Sequence, residues 1–596
     1  MTYTAPVNDI RFTLDHVVDL AGLIETGAFE GLSDDLVTSI LDEAGKFSSG
    51  VFAPLNVVGD QHGAKLENGV VRLPEGFREA YQEFVDAGWN CISGSPEFEG
   101  MGLPYSLQMA VQEMMTSANM AFSLCPMLTQ GAIEALTAHG TEQQKNVYLP
   151  KLISGEWSGT MNLTEPQAGS DVGALRSKAE KHLDGTYRIK GQKIYITWGE
   201  HECADNIIHL VLARLPGAPD GTRGISLFLV PKFLVNEDGS LGQRNDLRCI
   251  SLEHKLGIHA SPTCTMSFGD NDDCIGYLIG EENRGMACMF TMMNNARINV
   301  GLQGVAIAER AYQGALNYAR ERVQSKRFHD GPKGPARIIE HADVRRMLMT
   351  IKANVEACRA IVYFTAAATD RSHHHPDSDV RAASKGLAEL LIPVAKAYPT
   401  DMGVDMSSQA IQVFGGMGYV EETGAAQHLR DSRIATIYEG TNGIQALDLV
   451  GRKLGMDSGK HWRALFADMR DFTGDLDSHP TVLKLQPYLE DAVEALQTAA
   501  VYLDGNEEFS LDSAAGASQF MRMFGCILGG YLLAMEAKQA QEMLDEGEGD
   551  PAYLKAKLTT AQFYAEQILP QGTALLGPVT RGGEILFDLD EDQFAA

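Results

Sequence analysis

The period of the apolar positions changes along the chain. In residues 1–159, Leu36, Ile40 and Ala44 recur at helical spacing, as do the stretches 114–120 and 133–138, which predicts helices. From 160 to 283 the period becomes two: Tyr187–Thr197, Ile207–Ala213, Ile225–Val230 and Thr263–Phe268 read as short strands, and Asp184-Gly185 is a hairpin-turn dipeptide. A small β-barrel or sandwich is expected there. From 284 to 455 the helical period returns, with Gly301–Arg322 and Ala383–Tyr398 as long segments and Pro393 expected to kink the second. Gly455–Pro480 reads as a charged connection. Beyond it Leu489, Val493, Leu496, Ala500 and Leu503 form one buried helical stripe, and Phe520–Met535 and Tyr553–Leu569 predict two more helices. The expected class is α+β, mostly α: an N-terminal helical domain (1–159), a central small β-domain (160–283), a helical bundle (284–455) and an additional C-terminal helical domain (456–596).

Composition narrows the functions. The chain has 596 residues, 44% of them hydrophobic and 21% charged, which suits a folded protein with several cores. Its net charge of -30 repels phosphate backbones and anionic lipid, so neither a nucleic-acid nor a membrane partner is expected. An anionic substrate would need local Arg and Lys. The nine cysteines lack CxxC spacing, which argues against a disulfide scaffold or zinc site and for a reducing compartment. The N-terminus shows no secretory pattern, and the apolar stretch Cys526–Met535 is short for a bilayer, so a cytoplasmic location is expected. No metal site is expected either, since His373, His374 and His375 are adjacent and cannot all face one ion. The methionines Met286, Met289, Met292 and Met293 are read as core.

The chain has no GxGxxG, GxxxxGK[ST], HExxH or GxSxG motif, so Rossmann, P-loop, zincin and serine-hydrolase readings lack support. Other segments carry chemistry. Glu439 precedes a Gly and follows an apolar Ile434–Tyr438 run; a carboxylate held desolvated there has a raised pKa and is a stronger base. Met161-Asn-Leu-Thr-Glu-Pro-Gln-Ala-Gly-Ser-Asp171 packs hydroxyls and amides able to hydrogen-bond a flat ring edge. In Lys193-Ile-Tyr-Ile-Thr-Trp-Gly199, alternation puts Tyr195 and Thr197 on one strand face. Arg297 and Arg322 lie on helical segments, and Gln412-Val-Phe-Gly-Gly-Met-Gly418 ends one with glycines that let backbone approach a ligand.

Together these segments resemble the acyl-CoA dehydrogenase family, whose signatures include Thr-Glu-Pro-x-Ala-Gly-Ser-Asp and Tyr-Glu-Gly-Thr. The resemblance covers roughly 80–455 and implies FAD as cofactor, an acyl-CoA thioester as substrate and Glu439 as the base that removes its α-proton. It assigns Met161, Leu163, Thr164, Tyr195, Thr197, Arg322, Gln412, Gly415, Gly416 and Thr441 to FAD, with Arg322 on the pyrophosphate and Gln412 on the adenosine part across a subunit interface. Gly169, Ser170, Asn294, Arg297 and Gly440 are assigned to the substrate. The chain departs from the family at Tyr195, where Trp is usual, at Asn294, where an acid is usual, and in the register from Arg322 to Phe328.

The implied reaction is α,β-dehydrogenation, with the Glu439 backbone N–H helping to hold the thioester oxygen and the electrons passing to an electron-transfer flavoprotein. The extra C-terminal helices and the segment Ala5–Asp15 resemble a subgroup of long bacterial members, which implies 3-(methylthio)propionyl-CoA as substrate, in dimethylsulfoniopropionate breakdown. The alternative is a general short- or medium-chain substrate, and an acyl-CoA oxidase is a lesser one. A remote alternative, a flavin-containing DNA-associated stress protein, needs a basic C-terminal face where this chain carries many acids. Flavin contacts shared between subunits imply a homodimer.

Overall fold

Eight strands form one sheet: β1 (Trp157–Asn162), β2 (Lys178–Lys181), β3 (Tyr187–Thr197), β4 (Asn206–Arg214), β5 (Ile225–Pro231), β6 (Leu247–Leu252), β7 (Thr263–Phe268) and β8 (Ile275–Ile279). The computed structural model describes residues 3–236, 238–327, 334–476, 480–504 and 509–595. The order is β6-β7-β3-β8-β5-β4-β1, with β2 beside β3 and β4. Only β1 against β4 and a bridge from β2 to β4 are parallel. β4 and β5 are mostly apolar, interrupted by His209 and Ser226, and nearly every residue of both is buried, as expected for strands covered on both faces. One core of the sheet gathers Ile189, Val211, Phe228, Val230, Met266 and Phe268. The Asp184-Gly185 turn is present, with Gly185 at φ 84.

This sheet belongs to a compact unit of Lys46–Pro104 and Ala118–Asn299. Helix Met120–His139 packs on β1, and Gly159 makes room for it: a Cβ there would stand 2.5 Å from the Ala132 Cβ. The apolar stretch 114–120, expected to be one helix, is cut at Asn119. That residue is extended and its side chain accepts from the Phe122 N–H at 3.1 Å, capping the next helix.

A second compact unit comprises Met1–Gly45, Tyr105–Ser117 and Val300–Ala596. Its helices include α1 (Val7–Thr13), α2 (Tyr105–Ala118), the later part of α3 (Gly285–Glu321), α4 (Ala342–His374), α5 (Ser378–Phe414), α6 (Asn442–Asp448), α7 (Lys460–Asp475), α8 (Gln486–Asp504), α9 (Leu511–Glu546) and α10 (Pro551–Gln567). α3 and α5 exceed the expected segments at both ends or at one. α5 runs unbroken through Pro393 and Pro399. Pro399 leaves the Ala395 carbonyl without its helical donor. That carbonyl lies against Gly301, where an added Cβ would come within 1.8 Å of it. Gly304 meets the Pro399 carbonyl in the same way, at 2.1 Å, so the glycines of α3 receive the prolines of α5.

The charged stretch Gly455–Pro480 is mostly helix, not connection. Trp462, Leu465, Phe466 and Met469 of α7 are buried at helical spacing, a stripe masked in the sequence by the charges between them. The α8 stripe is buried as expected. α9 is long and apolar enough, by length and composition, to cross a membrane, yet 89% of its most apolar window is buried within the protein. His373 and His374 form the last turn of α4, and His375 caps it.

Buried charges tie the ends of this unit together. Lys557 on α10 is 2.7 Å from Glu536 on α9 and 3.0 Å from Glu356 on α4. Tyr553 donates to Asp9 at 2.9 Å, and the Thr13 hydroxyl donates to Glu536 at 2.7 Å. Asp370 accepts from the first N–H groups of α2, Tyr105 at 2.7 Å and Ser106 at 2.9 Å, while burial pushes its carboxyl up to about 6.

Candidate active site

Glu439 sits in the left-handed region at φ 56, followed by Gly440 at φ 81. Left-handed backbone is costly for a residue with a Cβ and persists where surroundings hold it. Here they do. Gln445 donates from Nε2 to the Glu439 carbonyl at 3.1 Å, and the Tyr438 hydroxyl donates to Gln303 on α3. Thr441 caps α6, its hydroxyl accepting from the Ile444 N–H at 3.2 Å. Asn442 anchors the turn from behind. It accepts from Lys396 Nζ at 2.8 Å and donates to Asp401 at 2.7 Å and to the Ala397 carbonyl at 3.1 Å. Lys396 is wholly buried on α5. Burial pushes the Asp401 carboxyl up, and the Asn442 donor works against that shift.

The apolar run before Glu439 is less buried than the sequence suggests. Arg433–Thr436 is a single tight turn that buries only Ala435, Ile437 is 48% exposed, and Glu439 is partly buried. Desolvation at the Tyr438 hydroxyl, with the Glu439 charge adding to it, pushes the phenol up.

In the same unit the C-terminal ends of α3 and α5 meet. Tyr318 and Phe414 stack with ring centroids 4.6 Å apart. This brings together Arg322, exposed one residue past α3, and the turn of Gly415 (φ 61) and Gly416 that follows α5. An added Cβ at either glycine would meet nothing within 4 Å. Gln412 lines a cavity beside this turn. Phe328 lies outside the described residues.

The sheet unit holds Met161, Leu163, Thr164, Gly169, Ser170, Tyr195, Thr197, Asn294 and Arg297. Glu165 organises its loop. It accepts from the N–H groups of Arg176 at 2.7 Å and Ser177 at 3.0 Å, and from Lys193 Nζ at 2.8 Å. Lys193 also donates to the Leu163 carbonyl at 3.0 Å. Burial alone would raise Glu165, but Lys193 and these donors hold it down at about 2. Burial pushes Lys193 down to about 8 despite its partner. Leu163, Thr164 and Thr197 are partly buried, and Gly169 and Ser170 are exposed. Asn294 and Arg297 lie one helical turn apart on α3, Arg297 donating to Asn294 at 3.4 Å.

Strict alternation fails between Lys193 and Ile196. The pairing with β7 shifts there, and Tyr195 takes φ 59 as the extra residue of a bulge. Its ring is thereby turned outward and is 60% exposed. Trp198 goes the other way, fully buried, its Nε1 donating to the Ala121 carbonyl at 3.2 Å. The partners Glu165, Lys193, Gln303, Lys396, Asp401 and Gln445 were not read as site residues. Glu165 and Lys193 stood inside the quoted motifs, but the roles of Gln303, Lys396 and Asp401 depend on helix crossings that spacing does not encode.

Sequence models of the acyl-CoA dehydrogenase N-terminal, middle and C-terminal domains match residues 60–156, 160–271 and 283–454, and an acetyl-CoA dehydrogenase C-terminal-like model matches 465–590. The chain is 46% identical to the 3-methylmercaptopropionyl-CoA dehydrogenase of Ruegeria pomeroyi, over 98% of this chain and 99% of that protein. It is 37% identical to a butyryl-CoA dehydrogenase of Syntrophomonas wolfei, over 99% of each. The crystal structure of Caenorhabditis elegans ACDH-11 in complex with C11-CoA shares the fold, with a TM-score of 0.77 at 22% identity, covering 95% of this chain and 92% of that one. The chain belongs to the acyl-CoA dehydrogenase family.

FAD is that family's cofactor, and the residues fit it. In the sheet unit the Thr164 and Thr197 hydroxyls have no hydrogen-bond partner among the described residues and the Tyr195 ring is presented outward; in the second unit open space lies over Gly415 and Gly416.

Proposed function

We propose that this acyl-CoA dehydrogenase converts 3-(methylthio)propionyl-CoA to methylthioacryloyl-CoA, in dimethylsulfoniopropionate catabolism. The observation that carries the reading is the 46% identity, end to end, with a relative named for that substrate. The second reading, a straight short- or medium-chain substrate, draws on the 37% identity with a butyryl-CoA enzyme. The division of the chain at 159/160, 283/284 and 455/456 belongs to the same proposal, as do a cytoplasmic location, a homodimer and an electron-transfer flavoprotein as acceptor.

Glu439 is the proposed base. An α C–H is a very weak acid, so the thioester oxygen must be held by donors while the proton leaves. The Glu439 N–H is one such donor, and the left-handed turn fixes N–H and carboxylate on a single rigid residue. FAD, when bound, supplies the acceptor for the β-hydride. Thr164, Thr197 and the Gly415-Gly416 turn would hold it, and Arg322 would pair with its pyrophosphate. Gly169, Ser170, Asn294 and Arg297 would hold the thioester and its CoA.

The test is anaerobic titration of the yellow holoenzyme with 3-(methylthio)propionyl-CoA, butyryl-CoA and octanoyl-CoA, followed by the flavin absorbance. Bleaching by the methylthio substrate at least as fast as by butyryl-CoA, lost in Glu439→Gln with flavin retained, is expected. Fast bleaching by straight chains alone discards the sulfur assignment. Undiminished bleaching in the variant discards the base.

A further inference from the structure

The stretch 396–401 of α5 is held from two sides. On one side stands Asn442, which it meets through Lys396, Ala397, Thr400 and Asp401. On the other stand α9 and α10. Gly525 brings α9 so close to the Tyr398 ring that an added Cβ would lie 2.2 Å from the Tyr398 Cγ. The Tyr398 and Tyr564 hydroxyls share a hydrogen bond of 3.2 Å, which ties the same stretch to α10. α6, which begins at Asn442, packs on α9 as well. The late helices therefore support both helices that meet at Asn442, and Asn442 anchors the turn of Glu439.

Charges converge at this junction. Asp401 accepts from Asn442 Nδ2 at 2.7 Å. Asp405 lies one helical turn further along α5, on the same face, and repels it. Arg522, three residues before Gly525 on α9, pairs with Asp405 at 3.4 Å. Burial pushes the Asp401 carboxyl up and Asp405 adds to that, while the Asn442 donor and the Arg522 and Lys396 charges work against it. The Arg522–Asp405 pair is half exposed and stabilises little by itself. What its cation does to Asp401 matters more. A hydrogen bond donated to a carboxylate is roughly twice as strong as one to a neutral acceptor. The charge on Asp401 therefore sets how firmly Asn442 is held.

We propose that Asp401 is a positioning residue for the dehydrogenation, holding the Glu439 turn through Asn442, and that Arg522 on α9 supports the negative charge Asp401 needs for this. The helices after residue 510 then have a part in the chemistry, by way of α5 and α6. The proposal rests on Glu439 as the base. No covalent step is added.

The test is the pH profile of flavin reduction in the anaerobic holoenzyme, with whichever of 3-(methylthio)propionyl-CoA and butyryl-CoA reduces wild type faster. Arg522→Gln is expected to move the acid fall of the limiting rate to higher pH by about half a unit, with half-saturation unchanged, and Arg522→Lys to restore it. Asp401→Asn is expected to lower the limiting rate roughly tenfold across the profile, and to erase the effect of Arg522→Gln in the double variant. An unmoved profile in Arg522→Gln overturns the proposal, as does a shift that persists when Asp401 is already replaced, or a loss expressed in half-saturation alone. Arg522 is half exposed, so its two variants decide the matter even where Asp401→Asn does not fold. Glu439→Gln is run alongside. Undiminished bleaching there sinks the base and this proposal with it, whereas an inert Glu439→Gln beside an unmoved Arg522→Gln sinks this proposal alone.

Discussion

Asn442 does more for the catalytic turn than its place after Tyr-Glu-Gly-Thr suggests. Four residues of α5 reach it, Lys396, Ala397, Thr400 and Asp401, and it stands three residues from the base. Asn442→Ala removes one partner from the buried Lys396 and one from the partly buried Asp401. It is expected to cost about 1–3 kcal/mol of stability and to slow flavin reduction more than it raises KM, since it acts on the placement of Glu439 and touches no substrate. Denaturant melts with single-turnover kinetics check this; an unchanged reduction rate would mean the turn holds itself.

Glu165 makes a pH prediction. Its carboxyl lies at about 2 in the fold against an ordinary 4.5, so it stabilises the fold above 4.5 and loses that contribution as pH falls from 4.5 to about 2. The shift corresponds to at most about 3 kcal/mol. Glu165→Gln should therefore melt below wild type at neutral pH, with the gap closing as acid brings both through that window. A gap independent of pH would deny the carboxylate its role. The base, the hydroxyls and the glycine turn were legible because short strings carry them. The bulge that turns Tyr195 outward was not, because it arises from pairing with β7, distant in sequence.

Elements were legible where periodicity was strong. β3 and β7 have the bounds expected from alternation, and every residue of the α8 stripe is buried. α7 was missed because acids and bases interrupt its stripe, and the course of α5 through two prolines was missed because the glycines that accommodate it lie on α3. The junction of α4, α9 and α10 was likewise invisible, since Lys557 looks like any surface lysine until it is found buried among Glu356, Glu536 and Asp9. Lys557→Met removes the cation those acids share, leaving Glu356 its second partner Lys352, and is expected to cost about 3–5 kcal/mol, seen as a lower Tm. A melt within error of wild type would show that the acids protonate without penalty.

For the whole molecule the sequence conveyed class and chain order, because each change of period marks a change of architecture. Assembly belongs to this scale too. The proposed homodimer predicts a sedimentation mass near twice the 64.7 kDa of the chain, and a four-protomer mass would refute it. The bond between Thr13 and Glu536 has a consequence in time. A ribosome releases residue 13 long before residue 536, so α1 must wait, with Phe12 open to water, for its seat beside Ala540 and Leu554 to be synthesised. A messenger truncated before α9 yields a product whose first helix keeps its contact with α4 but loses the rest of its seat.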